Sequence, residues 1–147
     1  MIRDATPDDF EAVLRLYRQL NADDPILTDG SDRAAYDTIM STPNVRLLLL
    51  EIEGEIVATT YLNLIPNLSR SAAPYAVIEN VVVDEARRGT GLGKTIMAAT
   101  LERAWAAGCY KAMLMTGSKR PSTHAFYRSC GFDPGTKTAY LAKPVRS

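Results

Sequence analysis

Apolar positions along the chain follow two rhythms, and their alternation sets the elements. Phe10, Val13, Leu14, Tyr17 and Leu20 recur at helical spacing, which predicts a helix with one buried face. Thr6-Pro7-Asp8-Asp9 starts it well: a threonine cap, a proline at the first helical position, and two carboxylates at the positive end of the dipole. Met1–Ala5 before it reads as a short strand. After an acidic loop over residues 21–32, a second helix is expected over 32–41. Val45–Ile52 is apolar and strand-sized, Glu53-Gly54 supplies a hairpin turn, and Glu55–Leu64 returns as a second strand. Ile65–Pro74 is a polar loop with two prolines, and Tyr75–Val83 a strand ending in Val81-Val82-Val83. Ile96, Met97, Thr100, Leu101, Ala104 and Trp105 form the apolar stripe of a helix over about residues 91–107, stopped by Gly108. Tyr110–Thr116 then reads as a strand, Pro121–Cys130 as a short helix ending at Gly131, and Phe132–Lys143 as a closing strand or hairpin.

The order is one strand, two helices, three strands, helix, strand, helix, strand. Neighbouring early strands pair as hairpins. The strand–helix–strand unit from 75 to 116 demands a parallel crossover, so the sheet is mixed α/β. At 147 residues, 46% of them hydrophobic, a single packed domain over 1–147 is expected, without repeats or linkers. No apolar run reaches the roughly 20 residues of a membrane span. The first residues lack the apolar stretch of a signal peptide, so a cytoplasmic protein is expected. Cys109 and Cys130 are too few for a disulfide framework or a cysteine zinc site and read as packing residues.

Zero net charge conceals an asymmetry. Residues 1–86 carry 15 acidic and 6 basic side chains, whereas residues 87–128 carry 8 basic ones against Glu102 alone. The second region is therefore expected to face an anion. No nucleic-acid motif accompanies the charge, and a small phosphorylated ligand fits so short a basic segment better.

Arg88-Gly89-Thr90-Gly91-Leu92-Gly93-Lys94 stands between the strand ending at Val83 and the helix that follows. Alternate glycines let backbone approach a ligand closely, and a helix start offers free N–H groups and a positive dipole end. The reading is a phosphate or pyrophosphate cradle, with Arg87, Arg88 and Lys94 adding charge. It is not a P-loop, because Lys94-Thr95 follows the wrong glycine spacing, and it lacks the Gly-x-Gly-x-x-Gly of dinucleotide sites.

With Arg88, Gly91 and Gly93 matching Arg/Gln-x-x-Gly-x-Gly/Ala, and Phe126-Tyr127-Arg128-Ser129-Cys130-Gly131-Phe132 matching a second motif about 40 residues on, the chain resembles the Gcn5-related N-acetyltransferase superfamily. The likeness covers nearly the whole chain. It implies a mixed, mostly antiparallel sheet of six to seven strands flanked by about four helices. Within the superfamily, Ile78-Glu79-Asn80-Val81-Val82-Val83 and Gly108-Cys109-Tyr110-Lys111 look like glucosamine-6-phosphate N-acetyltransferases.

The resemblance implies acetyl-CoA as cosubstrate, no metal, and a small-molecule primary amine as acceptor. The pyrophosphate would lie on Arg88, Gly89, Thr90, Gly91, Leu92, Gly93 and Lys94. The pantetheine arm would pair like an added strand with Val81, Val82 and Val83, which fits a parallel strand splayed from its neighbour with backbone groups left over. Tyr127 would be the general acid that protonates the departing thiolate; an ordinary tyrosine pKa of about 10 nearly matches an alkyl thiol. Where the family often carries Asn before that tyrosine, this chain reads Lys119-Arg120-Pro121-Ser122, so Ser122 or Ser118 is expected to contact the pantetheine.

Glu79 is an acid inside an apolar run, where a charge is costly unless paired or wet. Simple alternation puts Glu79, Val81 and Val83 on one face. Two readings stand: a general base acting through water, or an edge glutamate paired with an arginine. His124, one turn before Tyr127, reads as a capping or surface residue. The acceptor would meet Glu79, Asn80, the acidic loop and Arg70, the last for an anionic group. Asn80 stands where glucosamine-6-phosphate N-acetyltransferases usually have Asp. A homodimer is expected by analogy, through apolar edge positions Tyr140 and Leu141. The competing classes are a silent acyl-CoA-binding module, lacking acid and base, and a nucleic-acid-binding domain.

Overall fold

The computed structural model describes residues 1–145, and these divide into two compact units, Met1–Leu114 and a second that begins at Met115. In the first, five strands lie in the order β1 (Ile2–Asp4), β2 (Val45–Ile52), β3 (Glu55–Ile65), β4 (Tyr75–Val83) and β5 (Ala112–Met113). Each pairs antiparallel with its neighbour except β4 with β5, which is parallel as the crossover requires. Helices α1 (Phe10–Leu20) and α2 (Ser31–Ser41) precede β2, α3 (Ser69–Ala72) is a single turn before β4, and α4 (Leu92–Ala106) makes the crossover. The hairpin turn places Glu53 and Gly54 at positive φ, the conformation that matches the strand twist.

Leu47, Leu48, Leu49 and Leu50 are all buried, because β2 is covered on both faces. On one face Leu47, Leu49, Ile56 and Val82 pack with Val13, Leu16 and Tyr36 of α1 and α2. On the other, Leu50, Val57 and Ala58 pack with Ile96 of α4. The α4 stripe holds at Ile96, Met97, Thr100 and Ala104, but Trp105 at the helix end is half exposed. Thr60 and Thr100, buried between β3 and α4, share a hydrogen bond of 2.7 Å, so neither hydroxyl is stranded.

α1 begins with the Asp9 carboxylate accepting from the Thr6 backbone N–H and hydroxyl at 2.7 and 3.0 Å. Arg3 grips the same carboxylate through two nitrogens and reaches Glu51 on β2 at 2.8 Å. These bonds hold the Asp9 pKa down at about 2, chiefly through Arg3.

The second unit contains α5 (Pro121–Ser129). The sheet therefore has five strands rather than six to seven, and the expected closing strand Phe132–Lys143 is not formed. The Asp133 carboxylate accepts from the Gly135 N–H at 2.8 Å and its carbonyl from the Thr136 hydroxyl, so the backbone turns locally where a strand would begin. Tyr140 and Leu141 beyond it are almost fully exposed. The strand expected over Tyr110–Thr116 shrinks to Ala112–Met113. Its ladder stops at the Val77–Met113 pair, just short of where β4 bends.

Candidate functional site

Between β3 and β4 the register shifts: Tyr61 pairs with Glu79, but Thr59 pairs with Val82. Asn80 and Val81 thus oppose Thr60 alone, a β-bulge, and Asn80 takes a φ of 51°. Asn is the side-chain-bearing residue that tolerates this left-handed conformation best, together with Asp. The bulge corrects the alternation expected from the sequence. Val82, not Val81, packs on the α1 side with Tyr61, the partner of Glu79, while Val83 packs on the α4 side. Glu79 therefore shares a face with Val82 and is opposed to Val83.

Because β5 pairs only with Ala76 and Val77, β4 from Ile78 to Val83 has a ladder neighbour on one side only. The added-strand reading of Val81–Val83 concerns the side without that neighbour. The Val83 carbonyl accepts from the Arg88 Nε at 3.1 Å, tying the strand end to the glycine turn. Glu79 is half-buried, and among the described residues no arginine or lysine comes within salt-bridge distance of it. The arginine-paired reading is thus absent, and a carboxylate stands beside the bulge without a cation.

The turn itself places Gly89 at φ 80° and Gly91 at φ 84°, and a Cβ built at either would meet open space. Gly91 precedes the first residue of α4, and its carbonyl already accepts from the Thr95 N–H. The amides of Leu92, Gly93 and Lys94 are left at the helix start without helical partners. Thr90 spends its hydroxyl on the Arg87 carbonyl at 2.6 Å, and Arg87 itself pairs with Glu55 at 3.0 Å. Arg88 and Lys94 therefore carry the charge of the turn, without a carboxylate partner among the described residues.

Sequence reasoning missed what holds this turn. Asp84, buried at its start, accepts from the Ala86 N–H and from Arg15 of α1 at 2.6 Å, and both hold its pKa below the usual carboxylate range. Arg15 also donates to the Ile56 carbonyl, and Gln19 accepts from the Glu85 N–H. These partners lie 41 to 69 residues apart in sequence, so no local pattern announces them.

Arg70 sits elsewhere on this unit. Arg70, Ser71 and Ala72 all have positive φ, a left-handed turn that puts the Arg70 guanidinium over Tyr110. Lys111 lies over both Tyr110 and Tyr75. Tyr75 starts β4, so at about 3.3 Å per residue this cluster stands roughly 13 Å along the strand from Glu79. A cavity of 330 Å³ lined by Asn44, Leu64, Asn67, Pro74 and Ala107 lies at the same end, away from the glycine turn.

In the second unit, Tyr127 is half-buried, edge-on to Phe126 at 5.1 Å and to Phe132 at 6.2 Å between ring centres. Gly131 at φ 98° ends the helix and lets the Phe132 N–H return to the Tyr127 carbonyl, which explains why Gly-Phe follows the Phe-Tyr pair. His124 places a ring nitrogen 2.8 Å from the Ser118 carbonyl, a structural tie. The Ser118 hydroxyl bonds to Thr123 and Arg120, whereas Ser122 is exposed on the first turn of α5.

The bulged strand, without a ladder neighbour on one side of its end, runs into a glycine turn that offers positive charge and unpaired amides at a helix start. The model of the acetyltransferase (GNAT) family matches residues 10–132, and the chain belongs to that family. It is 30% identical over 122 residues to glucosamine 6-phosphate N-acetyltransferase 1 of Oryza sativa subsp. japonica, covering 81% of this chain and 72% of that protein. It is 27% identical over 150 residues to aminoglycoside N(6')-acetyltransferase type 1 of Stenotrophomonas maltophilia, covering 98% and 93%. A solved structure from Agrobacterium tumefaciens str. C58, described as an acetyltransferase, superposes with a TM-score of 0.93 at 43% identity over 98% of this chain and 99% of that one. The protein is an N-acetyltransferase with acetyl-CoA as donor.

Proposed function

We propose that this enzyme acetylates a primary amine on a small amino sugar by direct attack on the acetyl-CoA thioester. The observation that carries this is the one-sided, bulged end of β4 leading into the glycine turn. The pyrophosphate is assigned to the turn from Arg88 to Lys94 and the pantetheine amides to the free side of Val81–Val83, with Ser122 as a further contact. An amide near Val81 meets the carbonyl oxygen, where a fixed donor has most effect as charge develops. Glu79, half-buried and without a cation, takes the ammonium proton through water. The nitrogen then forms its bond to the carbonyl carbon, the carbon–sulfur bond breaks and Tyr127 gives a proton to the leaving thiolate, while the second proton lost by the nitrogen as the amide forms returns through solvent to the tyrosine.

The amino-sugar class rests on the relatives, which act on glucosamine 6-phosphate and on aminoglycosides. The chain's own residues bear on both. A polycationic aminoglycoside suits Asp23 and Asp24 of the exposed loop after α1, whereas Asp29 and Asp32 are engaged by Ser31 and Arg33. A sugar phosphate calls on Arg70, which stands over Tyr110 rather than beside Glu79. Glucosamine 6-phosphate, glucosamine, an aminoglycoside and a polyamine, each assayed with acetyl-CoA by release of free thiol, test the reading. Turnover confined to amino sugars supports it. Turnover of the polyamine alone overturns the acceptor class, and coenzyme A binding without any turnover leaves a silent binding module.

A further inference from the structure

On the face of β4 toward α1, one buried hydroxyl has no partner. The Tyr17 Oη is shut off from solvent and closes no hydrogen bond, alone in this among the side-chain polar atoms of the described residues. Such a group is costly beside a phenylalanine of the same shape, so its presence asks for a reason. Its surroundings supply one. The Tyr17 ring packs into the cluster that contains Tyr61 and Val82. Tyr61 is the ladder partner of Glu79, and Val82 is the first regularly paired residue after the bulge, so this cluster takes in both flanks of Asn80 and Val81. The Asn80 carboxamide approaches the hydroxyl without forming a bond of good geometry. Burial pushes the Tyr17 pKa up to about 12, which keeps the hydroxyl a donor at any ordinary pH.

We infer that Tyr17 is a positioning residue for acetyl transfer: its hydroxyl latches the Asn80 carboxamide and so holds the bulge that aims the Val81 amide. This rests on the reading of β4 given above. Asn80 bears the left-handed strain of the bulge, and nothing else among the described hydrogen bonds anchors its side chain. The hydroxyl sits within reach with its bond unspent. Hydrogen bonds that serve chemistry are often open in the unliganded state and close when the ligand engages, here when acetyl-CoA pairs with the strand end. Glu79 lies one residue before Asn80, so the same latch fixes where its carboxylate leaves the strand.

The test uses the whole chain and four variants: Tyr17→Phe, Asn80→Leu, the two combined, and Asn80→Asp. Tyr17→Phe is expected to lower kcat by about tenfold or more, with KM for acetyl-CoA nearly unchanged and thermal stability equal or higher. Asn80→Leu should lose at least as much turnover and melt lower, since leucine is also strained at a φ of 51°. The double variant should be no worse than Asn80→Leu alone, since the bond to Tyr17 is already broken there. Asn80→Asp, which keeps an acceptor oxygen and tolerates the left-handed conformation, should retain most activity. Amide hydrogen exchange at Val81 with coenzyme A bound should quicken in Tyr17→Phe. Unchanged turnover in Tyr17→Phe, or losses that add in the double variant, overturns the latch. If the wild-type chain acetylates none of the amines, the function reading fails separately, and unchanged exchange at Val81 then overturns the latch on its own.

Discussion

Removing the Tyr127 hydroxyl takes away a proton donor and almost no volume, and the ring keeps its edge contacts with Phe126 and Phe132. Coenzyme A affinity of Tyr127→Phe is therefore expected to stay near wild type. Turnover should fall by about 10²–10⁴-fold, with kcat and kcat/KM falling together because the lost interaction belongs to the transition state. Steady-state kinetics with a true acceptor checks this, and full activity would make Tyr127 a packing residue. The residues legible from sequence are those whose role lies in local backbone: the glycines at positive φ, the Gly-Phe that closes α5, and the Thr-Pro-Asp-Asp helix start. Arg15, Tyr17 and Asp84 were not legible, because each acts through a partner far away in the chain. The bulge did leave a trace, since Glu79-Asn80 is a polar pair that interrupts an apolar strand. Alternation alone read it as regular and put Val83 on the wrong face.

Among the elements, the glycine turn makes the sharpest demand. Gly91 sits at φ 84° facing open space, where the phosphates are assigned. Valine there both strains the backbone, by about 1–2 kcal/mol for a left-handed residue, and fills the space. Gly91→Val should melt lower than wild type and lose the stabilisation by coenzyme A, which in wild type amounts to about 2.7 kcal/mol at a hundred times Kd. Thermal shift with and without coenzyme A reads both effects, and a ligand shift equal to wild type would remove the cradle. A second element-level prediction concerns the α4–β3 seam. Thr100→Val leaves the Thr60 hydroxyl buried and alone, at a cost of about 1–3 kcal/mol, and adding Thr60→Val should recover part of it. Chemical denaturation of the two variants decides; no recovery would mean the loss is packing, not hydrogen bonding. At this scale the helices and the β2–β3 hairpin were readable from period and turn chemistry. Strand length at the sheet edge was not, because β5 ends where β4 bends and the closing strand gives way to the Asp133 turn.

For the whole molecule, the clamp of Arg3 on Asp9 and Glu51 joins β1, the start of α1 and β2. The Asp9 pKa is about 2 when folded against 3.8 ordinarily, so the folded state favours the charged form. Its contribution, on the order of 1–2 kcal/mol after allowance for solvent screening, is complete above about pH 4 and is lost as pH falls through 2. Asp9→Asn should remove that part of the acid dependence, measured by denaturation from pH 5 to pH 2; an identical slope would show the clamp to be energetically idle. We further propose a homodimer, in which the exposed Tyr140 and Leu141 are covered by a second copy; a monomer mass by light scattering at high concentration would exclude it. The central claim, that acetyl-CoA lies along the free side of β4 and on the glycine turn, is tested most directly by titrating isotopically labelled protein with coenzyme A and following backbone amide resonances. Shifts concentrated at Val81–Val83 and Arg88–Lys94 are predicted. Shifts confined to the Arg70, Tyr110 and Lys111 cluster, or none at saturating coenzyme A, would contradict it.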